Sequence, residues 1–130
     1  TDYAAKGRYA IDALERYDIV CVHVEAPDEA SHEGRADEKV KAIEEIDRHI
    51  VGPLIEALEK RGEPWRVMIS PDHPTFLSTK KHTHGDVPVC LAGEGIVADG
   101  AGAYHDKVAA ASELAFPNGW GAMRWFIGKS

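Results

Sequence analysis

No apolar run in this chain approaches the roughly 20 residues that a membrane-crossing helix needs. The opening stretch, TDYAAKGRYA, lacks the apolar centre of a signal peptide, so a cytoplasmic location is the expectation. Basic residues are outnumbered, 15 Lys and Arg against 22 Asp and Glu, and the net charge is -7. That balance argues against a nucleic-acid partner, since domains that track phosphate backbones are usually basic. It leaves room for a small phosphate ester, because a bound divalent cation supplies positive field locally. Cysteine is scarce: only Cys21 and Cys90 occur, each in an apolar stretch, DIVCVHV and VPVCLAG. They are expected as buried thiols in neighbouring strands rather than as a disulfide.

What is present in number is histidine, seven in 130 residues, the first hint of a metal. The length suits one α/β domain over residues 1–130, with no internal boundary or repeat. Asp2 to Tyr17 has helical spacing, and Ile19 to Val24 has the β-branched content of a strand buried on both faces. Glu25 to Gly34 is polar, with one Pro and one Gly, and is expected as a loop. Asp37 to Lys60 carries an apolar stripe of Val40, Ile43, Ile46, Ile50, Leu54, Ile55 and Leu58. Pro53 implies a kink in it, or two helices joined near Gly52, and Gly62 a C-terminal cap. Strands follow at Trp65–Ile69 and Val87–Leu91, the Gly-rich, turn-like stretch Glu94–Gly102 leaves room for a short one at Ile96–Val97, and helices are expected at His105–Leu114 and Gly119–Ile127. The expected fold class is α/β, a small mainly parallel sheet flanked by helices.

The polar clusters fall where such a sheet gathers ligands, outside the carboxyl ends of its strands. Asp28 and His32 follow the first strand; Asp72 and His73 follow the second, bracketed by Pro71 and Pro74. His82 and His84 precede the third. Carboxylate and imidazole are the donors that zinc and manganese take. Asp28-x-x-x-His32 puts both side chains on one side if the segment makes a helical turn. Adjacent Asp72 and His73 diverge unless the backbone between them is irregular, so they serve one ion in an irregular loop or two ions otherwise. Two ions about 4 Å apart suit phosphoryl transfer, clamping attacking and leaving oxygens. Taken singly, Asp28 reads as a helix cap, and His32, His82 and His84 as solvated residues; the joint occurrence favours a metal. His23 is expected as a hydrogen-bonded core residue, His49 and His105 as exposed, and Trp120, Trp125 and Phe126 as core.

VHVEAPDEASHEG, KVKAIEEIDRHIVGPL and SPDHPTFLSTKKHTHGDVPV, in that order, resemble the C-terminal part of the archaeal-type, cofactor-independent phosphoglycerate mutases of the alkaline phosphatase superfamily. The resemblance runs from about Tyr3 to the end and weakens after Gly93. It implies an alkaline-phosphatase-like core and two divalent ions, manganese, zinc or magnesium. Asp28, His32 and His82 would bind one, and Asp72 and His73 the other; His82 fits the HT motif better than His84. It implies interconversion of 3-phosphoglycerate and 2-phosphoglycerate in glycolysis through a phosphoserine. No residue here matches that nucleophilic serine, so no catalytic nucleophile is assigned. The chain is expected to be an inactive portion of a larger enzyme, with a small phosphorylated substrate, and to meet the missing N-terminal portion or itself. The alternatives are a related enzyme of the superfamily, such as a homoserine kinase, a phosphatase or a phosphonate-cleaving enzyme, or a non-catalytic metal-binding domain.

Overall fold

The computed structural model describes residues 1–128. It is mixed α/β: helices α1 (Tyr3–Ala13), α2 (Ala26–Glu33), α3 (Ala36–Ile46), α4 (Gly52–Arg61), α5 (Asp106–Ala110) and α6 (Gly119–Phe126), with strands β1 (Arg66–Ile69), β2 (Thr75–Phe76), β3 (Lys81–His82) and β4 (Cys90–Gly93). The residues group into two compact units, one of Thr1–Glu63 with Pro74–His84, the other of Pro64–His73 with Gly85 onward.

The first unit is a helical cluster carrying a hairpin. Asp2 caps α1, its carboxylate accepting from the Ala5 amide at 2.9 Å. The stretch expected as a polar loop is instead α2. Pro27 sits in its first turn, Asp28 and Glu29 favour the positive helix start, and Gly34 closes it in the left-handed region at φ 74. Apolar periodicity is weak over these eight residues, which hid a helix that proline and glycine at its two ends announce.

The long helical region is two helices joined next to Gly52, as one of the two expectations has it: a π-helical turn, Asp47–Val51, links α3 to α4. Pro53 explains it. Proline has no amide to donate to the His49 carbonyl four residues back, and its ring crowds that oxygen. Widening the turn moves the carbonyl aside. It then faces α1, where Gly7 is buried: a Cβ on Gly7 would stand 2.2 Å from the His49 oxygen. Ala10, Ala30, Ala42, Ile50 and Leu58 form the buried apolar core. Only part of the expected stripe reaches it, since Val40 and Ile43 are exposed. Gly62 caps α4 at φ 68, as expected.

Ile19–Val24 is not a strand. No ladder reaches it among the described residues, and Ile19 is 56% exposed. A strand needs a hydrogen-bonding neighbour, which sequence composition does not supply. Two further expectations fall with it. His23 is exposed (68% of its side chain) and 4.0 Å from Glu25, not in a core, and Cys21 is exposed. Both cysteines are free.

In the second unit β1 pairs antiparallel with β4, Arg66 opposite Gly93 and Ile69 opposite Cys90. In the first, β2 pairs antiparallel with β3. The mainly parallel sheet expected from the sequence is therefore absent among the described residues: its parallel pair required Ile19–Val24 as a ladder member. Ile96–Val97 forms no strand either, α5 is shorter than expected, and Trp120 and Trp125 of α6 are exposed rather than core. Arg66 ties α6 down: its Nε donates to the Glu94 carbonyl at 2.7 Å and its guanidinium to the Phe126 carbonyl at 2.8 Å. No helix of the described residues is long and apolar enough to cross a membrane.

Tyr104 braces the same unit. Its hydroxyl donates to the Pro88 carbonyl at 2.9 Å and lies 3.3 Å from the Ile69 carbonyl, at the end of β1. Desolvation of the phenol, then the charges of Cys90 and Asp106, push its pKa up to about 12. A raised phenol pKa contributes stability that is complete below the unfolded value near 10 and is lost as pH rises through about 12. Ultraviolet titration of the tyrosines should therefore show a late-ionising phenol near pH 12 that disappears in Tyr104→Phe.

Candidate metal centre

Three of the five predicted ligands meet in the first unit. Asp28 and His32 stand one turn apart on α2, so the i, i+4 spacing stacks them on one face; Asp28 Oδ2 lies 3.2 Å from His32 Nε2. The β2–β3 hairpin brings His82 to them. His82 Nε2 is 3.0 Å from His32 Nε2 and 3.4 Å from Asp28 Oδ1. Donor atoms bonded at 2.0–2.1 Å to a tetrahedral ion stand about 3.3 Å apart. The observed separations match that spacing. His84 lies outside this group and is exposed.

The protonation of His32 follows from its other nitrogen. Nδ1 is 2.9 Å from the Lys80 carbonyl. A carbonyl oxygen only accepts, so Nδ1 carries the proton and neutral His32 presents a bare lone pair at Nε2. Lys80 is the sole non-glycine residue with positive φ among those described (56°), and that left-handed backbone, closing the hairpin turn, aims its carbonyl at His32.

Asp28 is held ionised. The Thr75 hydroxyl donates to Oδ1 at 2.6 Å and is the largest cause of a carboxyl pKa below its ordinary value; desolvation opposes it, and His82 and His32 reinforce it. A bare imidazole nitrogen beside an ionised carboxylate oxygen is two acceptors facing each other. Only a proton or a cation between such groups makes the arrangement favourable. With a carboxylate and two imidazoles as donors, the set suits zinc or manganese better than magnesium, which prefers oxygen.

Asp72 and His73 belong to the second unit, in a bend after β1. The bend resolves the divergence of adjacent side chains: Asp72 Oδ1 accepts from the His73 amide at 3.0 Å, and Oδ2 lies 3.4 Å from His73 Nε2. Thr75 is the residue that sequence reasoning missed. A threonine beside a proline and a phenylalanine carries no signal of its own; its signal is the pairing with His82 across the hairpin, which only register reveals.

Comparison with known proteins agrees with this chemistry. The profile of the Metalloenzyme superfamily matches residues 1–116. A 2,3-bisphosphoglycerate-independent phosphoglycerate mutase of Methanothrix thermoacetophila is 46% identical over 110 residues, 85% of this chain and 28% of that protein. The enzyme named 2,3-bisphosphoglycerate-independent phosphoglycerate mutase 2 of Methanothermobacter thermautotrophicus is 51% identical over 106 residues, 82% of this chain and 26% of that protein. The structure of the PH0037 protein from Pyrococcus horikoshii superposes with a TM-score of 0.77 at 29% identity, over 84% of this chain and 32% of that one. The chain thus spans between a quarter and a third of the length of these relatives.

Proposed function

The chain belongs to the Metalloenzyme superfamily, and from that premise we propose that it supplies metal ligands to a 2,3-bisphosphoglycerate-independent phosphoglycerate mutase that uses two divalent ions. In this reading Asp28, His32 and His82 hold one divalent ion, manganese or zinc, and Asp72 and His73 belong to the shell of a second. The observation that carries it is the convergence of two imidazole Nε2 atoms, 3.0 Å apart, on one carboxylate, whose Oδ2 lies 3.2 Å from His32 and whose Oδ1 lies 3.4 Å from His82. The relatives' names supply the reaction class, a phosphoryl shift on phosphoglycerate.

A bound divalent ion supplies Lewis acidity toward phosphate oxygens and toward a hydroxyl nucleophile. The chain's own part is to preorganise the donors. Asp28 brings the negative charge that two neutral imidazoles lack. Lys80 fixes the tautomer of His32 so that Nε2 faces inward. Pro71 and Pro74 stiffen the bend that carries Asp72 and His73. The phosphoryl-accepting serine belongs, by resemblance, to other parts of the longer enzyme, and this chain alone is expected to be inactive. The same reading places the chain in an alkaline-phosphatase-like core in the cytoplasm, where a wider sheet would give Ile19–Val24 the ladder it lacks among the described residues.

The test is an assay of a polypeptide of the relatives' full length that includes this segment. It should interconvert 3-phosphoglycerate and 2-phosphoglycerate with manganese or zinc and lose activity on chelation. Metal-dependent turnover of other phosphate esters, with none on phosphoglycerate, would replace the mutase with another activity of the superfamily.

A further inference from the structure

Thr75 is 7% exposed, one of two buried polar residues in the chain's described part. It sits directly opposite His82 in the β2–β3 ladder, and opposite residues of an antiparallel pair project from the same face. Both reach one carboxylate: the Thr75 hydroxyl donates to Asp28 Oδ1 at 2.6 Å, and His82 Nε2 lies 3.4 Å from the same oxygen. The contact joins residues 47 positions apart, so it ties the hairpin to α2. The hairpin is anchored from its other side by Lys39 of α3, whose ammonium donates to the Thr75 carbonyl at 3.2 Å.

We infer that Thr75 is a positioning residue for the metal site, its hydroxyl engaging Asp28 Oδ1 so that Oδ2 is presented beside His32 Nε2. This rests on the proposed metal role of Asp28, His32 and His82. An aspartate free to spin about its last torsion offers either oxygen at many angles. A short hydroxyl bond to an ionised oxygen removes that freedom, and at 2.6 Å it is in the range of strong charge-assisted bonds. Oδ2 then stands 3.2 Å from His32 Nε2, ready to share an ion with it. The hairpin thus delivers a ligand, His82, and the clamp on another ligand from two facing positions of one ladder.

The experiment is titration of the purified, metal-free protein with cobalt(II), read by affinity and by the visible absorption of the bound ion, with unfolding temperature as a check on folding. Thr75→Val keeps the shape and deletes the hydroxyl; Thr75→Ser keeps the hydroxyl. Thr75→Val should bind cobalt about 10- to 100-fold more weakly, the loss typical for an outer partner of a metal ligand. Its spectrum should differ from the wild-type one, and Thr75→Ser should restore both affinity and spectrum. Thr75→Val binding cobalt with wild-type affinity and spectrum, while Asp28→Ala does not bind, would overturn the inference and leave the metal site standing. Equal losses in Thr75→Val and Thr75→Ser, accompanied by lowered unfolding temperatures, would overturn it in favour of packing alone. No binding by the wild-type protein would overturn the metal site itself, and this inference with it.

Discussion

Asp28→Ala is expected to weaken zinc or manganese binding by at least about 100-fold, because losing even an outer partner of a ligand costs 10- to 100-fold. The carboxylate is the only anionic donor of the three that converge, and two imidazoles held 3.0 Å apart make a poor site without it. Asp28→Asn separates charge from shape. It keeps an oxygen for the Thr75 hydroxyl, whereas alanine removes that charge-assisted contact altogether. Without metal, then, Asp28→Ala should unfold at a lower temperature than Asp28→Asn. With metal, neither should show the stabilisation that saturating ligand confers on the wild-type protein. Calorimetric titration and thermal unfolding measure both effects. Wild-type affinity in Asp28→Ala would remove this residue from the site.

Gly7→Ala is expected to destabilise the first unit clearly, although it adds only one methyl group. The new Cβ would press on the backbone of the π turn: the His49 oxygen at 2.2 Å, the His49 carbonyl carbon at 3.3 Å and the Ile50 Cα at 3.4 Å. None of these is the end of a flexible side chain. The carbonyl cannot swing back, because Pro53 occupies the place it would take in a regular helix. Alanine gains up to about 1 kcal/mol in helix propensity over glycine, but overpacking against backbone costs about 1–3 kcal/mol or more. A net loss of about 2 kcal/mol, seen as a lower denaturant midpoint with unchanged slope, is the expected result. Gly121→Ala in α6 is the control, since nothing lies within 4 Å of its added Cβ. Its stability should hold or rise slightly. Equal behaviour of the two variants would refute the close approach of α1 to the π turn.

The end of α4 was legible because its chemistry is local: Gly62 closes the helix because a residue without Cβ at positive φ is favoured whatever lies beyond. Pro53 announced an irregularity near Gly52, though its form, a π turn joining two helices, depended on α1 offering Gly7 beside the displaced carbonyl. Ile19–Val24 was misread because β-branched composition reports what a strand favours, while a strand exists only with a partner. His23, Cys21, Trp120 and Trp125 failed for the same cause, burial being a property of neighbours.

By itself the sequence determined the donor types, their order and the i, i+4 spacing by which Asp28 and His32 share a face wherever a helical turn forms. Those depend on residue identity and on a 3.6-residue turn, which no distant contact alters. Only the tertiary structure decided that His82 rather than His84 joins them, that His32 offers Nε2, and that Thr75 grips Asp28. Each of these joins residues 47 to 50 positions apart. They follow from hairpin register and from one left-handed residue, Lys80, and a shift of register by one would have turned the opposite side chains toward α2.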